Sequence, residues 1–252
     1  MTNCLRIAGR RVAIQQADKH PLLSELSHQA LIENSGFAAE LELRPEADGI
    51  HLRWFQENAK ALDLHIDVTS LLKQQRSFPA PKQGAFNQAL GKKSKHVIDA
   101  TGGWGSDALL MCSQGYQVQI IERHPIMVLL LKDAMQRLSK TQWAEHNEVV
   151  VPLVKQGDAI NLLALQSLQA DCVYLDPMFP AKRKRSAAVN KQMALLQWLL
   201  NGEFDADELL TAALTGNFPR VVVKRPDYAQ ALCVESSTRF SSKLVHYDVY
   251  FT

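Results

Sequence analysis

The chain is poor in the residues that mark metal, redox or secreted proteins. Its 252 residues include four cysteines, Cys4, Cys112, Cys172 and Cys233. They lie far apart and form no C-x-x-C pair, which argues against a zinc knuckle or a disulfide framework. They read as buried thiols of a reducing compartment. The eight histidines are dispersed with no H-E-x-x-H, and no G-x-S-x-G elbow occurs. Neither a zinc hydrolase nor a serine hydrolase is indicated, and no metal is called for. No apolar run approaches the roughly 20 residues of a membrane span, and the first residues lack an apolar signal core, so a cytosolic protein is expected. A surplus of one charge is also missing. With 28 Lys and Arg against 26 Asp and Glu, the net charge of +2 does not by itself argue for a polyanionic partner. What the chain does have is 46% hydrophobic and 21% charged residues, enough for one large core with a smaller appendage.

Residues 1–80 carry short strand-like pieces. Arg11 to Gln15 suits a strand, Pro21 to Asn34 a helix closing at Gly36, and Glu40 to Arg44 with Ile50 to Trp54 a hairpin. A small α+β domain is expected there, with Ser77 to Pro81 as linker. A short helix over residues 83–91 precedes Lys92, Lys93 and Lys95, a stretch that is either a solvated connector or a face turned to a ligand or RNA. From His96 the pattern becomes strand, turn, helix, repeated. Strands are predicted at 97–99, 118–122, 149–154, 172–176 and 220–224. Helices fall between them at 106–114, 125–138, 159–168, 189–200 and 206–214. This alternation predicts a doubly wound α/β domain over residues 81–252, a seven-stranded, mostly parallel Rossmann-like sheet with an antiparallel pair at its edge.

The first of these strands and the turn after it read Val97-Ile-Asp-Ala-Thr-Gly-Gly-Trp-Gly-Ser-Asp-Ala108. Gly103 to Ala108 satisfies G-x-G-x-x-G/A, and Glu122 ends the next strand where a ribose-binding acid belongs, so an NAD(P)-binding oxidoreductase is one reading. A plain glycine turn is another. A third is S-adenosylmethionine. A pyrophosphate needs room and N–H donors, whereas a sulfonium prefers carboxylates. Asp99, Asp107, Glu122 and Asp158 would crowd the ends of successive strands.

A second constellation follows the fourth predicted strand. Asp176-Pro-Met-Phe-Pro180 sets an acid leaving the sheet beside a proline and an aromatic ring, and it resembles the Asp-Pro-Pro-Tyr type of motif in methyltransferases that modify exocyclic amino groups of nucleobases, with Met178 and Phe179 in place of the second proline and the tyrosine. A base amine is a poor nucleophile because its lone pair is delocalised into the ring. A carboxylate and a backbone carbonyl accepting its N–H bonds would localise and aim that pair, while an aromatic face stacks the base. The bland alternative is a strand end with Phe179 filling the core. Lys182, Arg183, Lys184 and Arg185 come next and, with Lys224 on the fifth strand, would contact RNA phosphates, though a charge run is also an ordinary solvated face.

These segments, with Glu122-Arg-His-Pro125 and Val221-Val-Val-Lys-Arg-Pro-Asp-Tyr-Ala229, resemble the bacterial small-subunit ribosomal RNA methyltransferases that form N2-methylguanosine near the 3′ end of 16S rRNA. The resemblance implies an S-adenosyl-L-methionine-dependent enzyme acting on 16S rRNA or the 30S subunit. It implies cofactor contacts from Ser106, Asp107, Glu122, Arg123, Gly157, Asp158 and Asp176. Guanine would be positioned by Asp176, Pro177 and Phe179. At Gly157 and Asp158 the chain departs from the family pattern of two small hydroxyl residues. A non-catalytic RNA-binding module is the remaining alternative.

Overall fold

The computed structural model describes residues 3–29, 38–57, 59–69, 78–180, 191–202 and 205–252. The N-terminal part is a five-stranded sheet of β1 (Asn3–Ile7), β2 (Arg10–Ile14), β3 (Leu41–Glu46), β4 (Gly49–Trp54) and β5 (Leu62–Leu64), in that spatial order. Helix α1 (Pro21–Gln29) crosses between β2 and β3, which are parallel, while the other pairs are antiparallel. The expected hairpin is β3 with β4. The strands β1 and β5 were not foreseen. The expected helix end at residues 30–34, its stop at Gly36, and Ser77 of the linker lie outside the described residues.

The rest of the chain follows the repeating pattern. It runs α2 (Gly84–Leu90), β6 (His96–Asp99), α3 (Ser106–Ser113), β7 (Gln117–Glu122), α4 (Pro125–Ser139), α5 (Gln142–His146), β8 (Leu153–Gln156) and α6 (Ala159–Ala164). It continues with β9 (Cys172–Leu175), α7 (Lys191–Leu199), α8 (Ala206–Thr215), β10 (Val221–Pro226), β11 (Thr238–Ser241) and β12 (Val245–Tyr250). The seven strands lie in the order β11-β12-β10-β9-β6-β7-β8, and β12 alone runs against its neighbours.

Two predicted elements are corrected. The strand expected at 149–154 starts only at Leu153. Val149 instead bonds back to Ala144 at 3.0 Å, closing the short helix α5, and Pro152 has no N–H to give a ladder. Helix α6 stops at Ala164 rather than residue 168, and Gln166 takes a left-handed φ of 51°.

Side chains alternate across the large sheet, so each strand feeds two cores. Val97, Cys172, Tyr174 and Val222 join one buried cluster, while Ile98, Val173, Leu175, Val221 and Val223 join the other, under α6 and α8. The first cluster continues through α4 into Leu41, Leu43, Ile50 and Leu52 of the small sheet. A buried polar rivet fixes that junction. Asp133 on α4 accepts from the backbone N of Ile50 at 3.1 Å and from Arg137 Nε at 2.9 Å, and Arg137 donates to the carbonyl of Ile66 at 2.8 Å. Both carboxylate and guanidinium are thereby satisfied, which a buried pair requires. Of the cysteines, Cys112 and Cys172 are buried as expected. Cys233 is exposed, because residues 227–237 form an irregular surface loop rather than an apolar strand. No described helix is long and apolar enough to cross a membrane.

Candidate cofactor and substrate site

From β6 the chain steps outward to β7 and β8, then returns to β9 on the other side of β6. The strand order therefore reverses between β6 and β9, and a crevice opens at their C-terminal ends. The glycine turn sits there. Gly105 N–H bonds the Gly102 carbonyl at 2.8 Å, and Gly102 N–H bonds the Ile121 carbonyl at 3.0 Å. Gly105 has φ 72°, and a Cβ on it would meet Leu131 at 2.8 Å; one on Gly102 would meet Ile120 at 2.6 Å. Only glycine lets the turn lie this close to β7 and α4.

Glu122, at the end of β7, holds the turn. Its Oε2 accepts from Gly103 N at 2.8 Å and its Oε1 from His124 N at 2.7 Å. Burial raises its pKa, while those two N–H groups pull the other way. The Arg123 charge and backbone N–H also favour the ionised form, and among the carboxylate's roughly four lone-pair sites these three N–H groups leave room for a hydroxyl donor.

On the β9 side, carboxylates surround one ammonium. Lys224 Nζ donates to Asp107 Oδ2 at 2.7 Å and to Asp176 Oδ2 at 2.9 Å, and Tyr174 donates its hydroxyl to Asp107 Oδ2 at 2.7 Å. Asp176 N–H donates to Thr101 Oγ1 at 2.7 Å, and Thr101 N–H donates to Asp99 Oδ1 at 3.1 Å. The ends of β6 and β9 are thus tied side by side. Burial, with Asp107 adding its charge, pushes the Asp99 carboxyl up to about 7. Burial pushes Asp176 up to about 6 against the pull of Lys224. Asp176 still turns 38% of its side chain outward, so it is recessed yet reachable. Burial opposes the Lys224 charge, but Asp176 and Asp107 override it and hold its pKa above the ordinary lysine value.

The adjoining cleft is lined by Glu122, Arg123, Gly157, Asp158, Asp176 and Pro177 among the expected residues. Asp158 also caps α6, accepting from Ile160 N at 2.9 Å, and Arg123 pairs with Asp205 at 2.7 Å. Asp99 lies beneath the cleft rather than on its wall, and Ser106 is exposed at the start of α3. Phe179 is not on the wall either. Its ring packs against the cluster around Ile98 and Leu175, and Met178 faces the cleft instead. Lys224 points inward to two carboxylates rather than outward, which corrects its expected place on an RNA-facing surface. Lys182, Arg183, Lys184 and Arg185 lie outside the described residues.

The sequence reading missed two contributors. One is α7, whose Leu196 and Leu199 close the cleft and whose Gln192 carbonyl accepts from Trp104 Nε1 at 3.1 Å. The other is His124, to which the sequence reading gave no place in the cleft. It is 6% exposed on the cleft wall, and neither ring nitrogen has a protein partner among the described residues. Burial, then Arg10 and Arg123, lower its pKa to about 4, so the ring is neutral at physiological pH. The missed signal was adjacency: His124 follows Glu122-Arg123 directly at a strand end.

These residues suit a cationic cofactor and not a pyrophosphate. Gly103 N–H is already engaged by Glu122, and Asp99, Asp107 and Asp176 would repel phosphate oxygens. This sheet with its single reversed strand and acidic crevice defines the Rossmann-like S-adenosylmethionine-dependent methyltransferase class, and the oxidoreductase alternative is not favoured.

Comparison with known proteins agrees. A family model described as "Putative SAM-dependent methyltransferase" matches residues 25–252. Ribosomal RNA small subunit methyltransferase J of Haemophilus influenzae strain PittEE is 37% identical over 251 residues, 91% of this chain and 94% of its own. The protein of that name from Photorhabdus laumondii is 33% identical over 246 residues, 94% and 96% of the two chains. A solved SAM-dependent methyltransferase of Neisseria gonorrhoeae superposes with a TM-score of 0.67 at 25% identity, covering 95% of this chain and 94% of its own. The chain belongs to the ribosomal RNA small subunit methyltransferase J family of S-adenosylmethionine-dependent methyltransferases.

Proposed function

We propose that the protein methylates the exocyclic N2 of a guanine in 16S rRNA, presented as RNA or in the 30S subunit. The observation that carries this reading is Asp176. It leaves the sheet beside the cofactor turn, is fixed through its own backbone and Lys224, and keeps its carboxyl accessible. Bound S-adenosylmethionine supplies an electrophilic methyl group on sulfur. Glu122 would take the ribose hydroxyls with its remaining lone pairs, and Asp99 would face the charged amino end. Asp158, Gly157 and Arg123 would line the cofactor, with Ser106 and Asp107 ordering the start of α3.

Ionised Asp176 would accept one N–H of the guanine amino group while a backbone carbonyl at Pro177 accepts the other, localising the lone pair toward the methyl. The proton released after transfer passes to Asp176 or water. Pro177 and Met178 would give the apolar wall beside the base, with Phe179 anchoring that segment from the core side. Residues 182–185 begin two positions after Pro180 and would meet the RNA backbone. Residues 1–80 form the appended α+β domain and 81–252 the methyltransferase domain, acting in the cytoplasm. The test is transfer of labelled methyl to 16S rRNA or 30S particles lacking this modification. Assayed at saturating cofactor, Asp176→Asn should lose at least about 100-fold in turnover, a loss typical of removing a transition-state hydrogen-bond partner. Full activity of that variant would overturn the mechanism.

A further inference from the structure

The β3–β4 hairpin gathers ligating side chains that the cleft does not use. We propose that Asp48, His51 and His65 bind one divalent transition-metal ion of the zinc type. The ligand atoms of these three residues all lie within 4.8 Å of one another. Asp48 sits in the hairpin turn, His51 on β4, and His65 one residue beyond β5. Since Leu52 pairs with Leu64, His51 and His65 face each other across the next step of the ladder, and their rings stack at 4.3 Å, 6° from parallel. Both aim Nε2 at the same carboxylate, at 2.9 Å from Asp48 Oδ1 for His51 and 3.4 Å from Oδ2 for His65.

Behind the cluster is the support that metal-binding imidazoles use. His51 Nδ1 lies 3.0 Å from Asp63 Oδ1, and Asp63 is held by Arg44, which also bonds Glu46. An imidazole backed by a carboxylate has its tautomer and orientation fixed and is a stronger ligand. With an ion at Nε2, His51 keeps its Nδ1–H bond to Asp63. Tetrahedral coordination at about 2.0–2.1 Å brings ligand atoms to about 3.4 Å apart. The required closure combines a tilt of the two stacked rings, which lets their Nε2 lone pairs converge, with movement of Asp48, in an exposed turn with 61% of its side chain free. Two imidazoles select a borderline-soft ion over Mg2+ or Ca2+, which prefer oxygen. The ion would clip the hairpin to the end of β5, with a water in the fourth position.

The test is titration of the untagged, metal-free full chain with Co2+, read by visible d–d absorption, followed by Zn2+ displacement. One equivalent should bind with the intense spectrum of four- or five-coordination and be displaced by Zn2+. His51→Gln and His65→Gln should each weaken binding at least about tenfold, and Asp63→Asn by about 10–100-fold through loss of the ligand's support. Melting curves of the metal-free variants check that each has folded. Absence of a stoichiometric spectrum in the wild type would overturn the proposal. So would unchanged affinity in the folded double histidine variant.

Discussion

Replacing Lys224 with methionine tests the electrostatics of the site directly. The substitution keeps the apolar stem and removes the one cation shared by Asp107 and Asp176, bonded at 2.7 and 2.9 Å. Asp176 titrates at about 6 with the lysine in place. An adjacent opposite charge is worth about 1–3 pKa units, and the outward exposure of Asp176 favours the lower half of that range, about 1–2 units. The carboxyl in the variant should therefore titrate near 7–8, pushed further by the unneutralised Asp107. Because the ionised form accepts the amine, the acid limb of the pH–rate profile moves to higher pH. At pH 7 the ionised fraction falls from about nine-tenths to between about one-half and one-tenth, and activity recovers as pH rises toward about 9. The assay is single-turnover methyl transfer across this range, with cofactor affinity and melting temperature as controls. A merely damaged fold would not recover with pH. If the limb stays at about 6 while the salt dependence of rRNA binding drops by about one ion, Lys224 contacts phosphate and the assignment fails.

Asp99 has a folded pKa of about 7 against an ordinary 3.8, so its protonated form is the one the fold favours. Its stabilising contribution is complete below about pH 4 and is lost as pH rises through about 7; Asp99→Asn should gain about 3–4 kcal/mol over wild type at pH 8 and bind cofactor less tightly, and coincident stability-versus-pH curves would refute this. His124→Phe removes two buried ring nitrogens that have no protein partner among the described residues and should stabilise the cofactor-free protein by about 1–3 kcal/mol while weakening cofactor binding about tenfold; unchanged calorimetric affinity would mean the ring does not touch the ligand. Arg10→Ala removes a guanidinium 3.8 Å over the Trp198 ring that also bonds the Trp198 carbonyl and Asn201. Loosening α7 in this way should cost about tenfold in cofactor affinity, and unaltered binding would show that α7 holds its position without the N-terminal sheet.

Much of the large sheet was legible because its signals are local. Val97 to Asp99, Val118 to Glu122 and Cys172 to Leu175 are apolar runs ended by acids or glycines, and Pro125 opens α4. The displaced strand β8 shows where such signals fail. Val149, Val151 and Val154 look alike in sequence, but Pro152 and the short helix capped by Thr141 decide which of them enter the ladder. In the site, Glu122, Asp158 and Asp176 were legible as acids at strand ends. That Lys224 faces inward was not, because it depends on β10 lying beside β9 and on Asp107 reaching across from α3. The same holds for Phe179 and Met178, where one residue of phase decides which side chain meets the cleft and which the core.

The glycine turn is permissive, and its surroundings decide what it binds. A turn that offers free N–H groups at a helix start recruits phosphate. Here the Gly103 N–H is held by Glu122, and Asp107 in the first turn of α3 is engaged by Lys224 and Tyr174. Asp99, Asp107, Glu122 and Asp176 outnumber the described cations beside them, Lys224 and Arg123, and Arg123 is itself paired with Asp205. Burial already raises Asp99 and Asp176, and Asp107 raises both further, so an incoming anion would worsen a repulsion the fold carries. An incoming cation relieves it, which gives a sulfonium cofactor a gain that a pyrophosphate cannot have. Burial, with Asp107 adding its charge, holds Asp176 at about 6 against the pull of Lys224. A carboxyl in that range can hold an amine's N–H before transfer and take the proton afterwards, so the buried, acid-rich crevice serves both cofactor choice and the chemistry at Asp176.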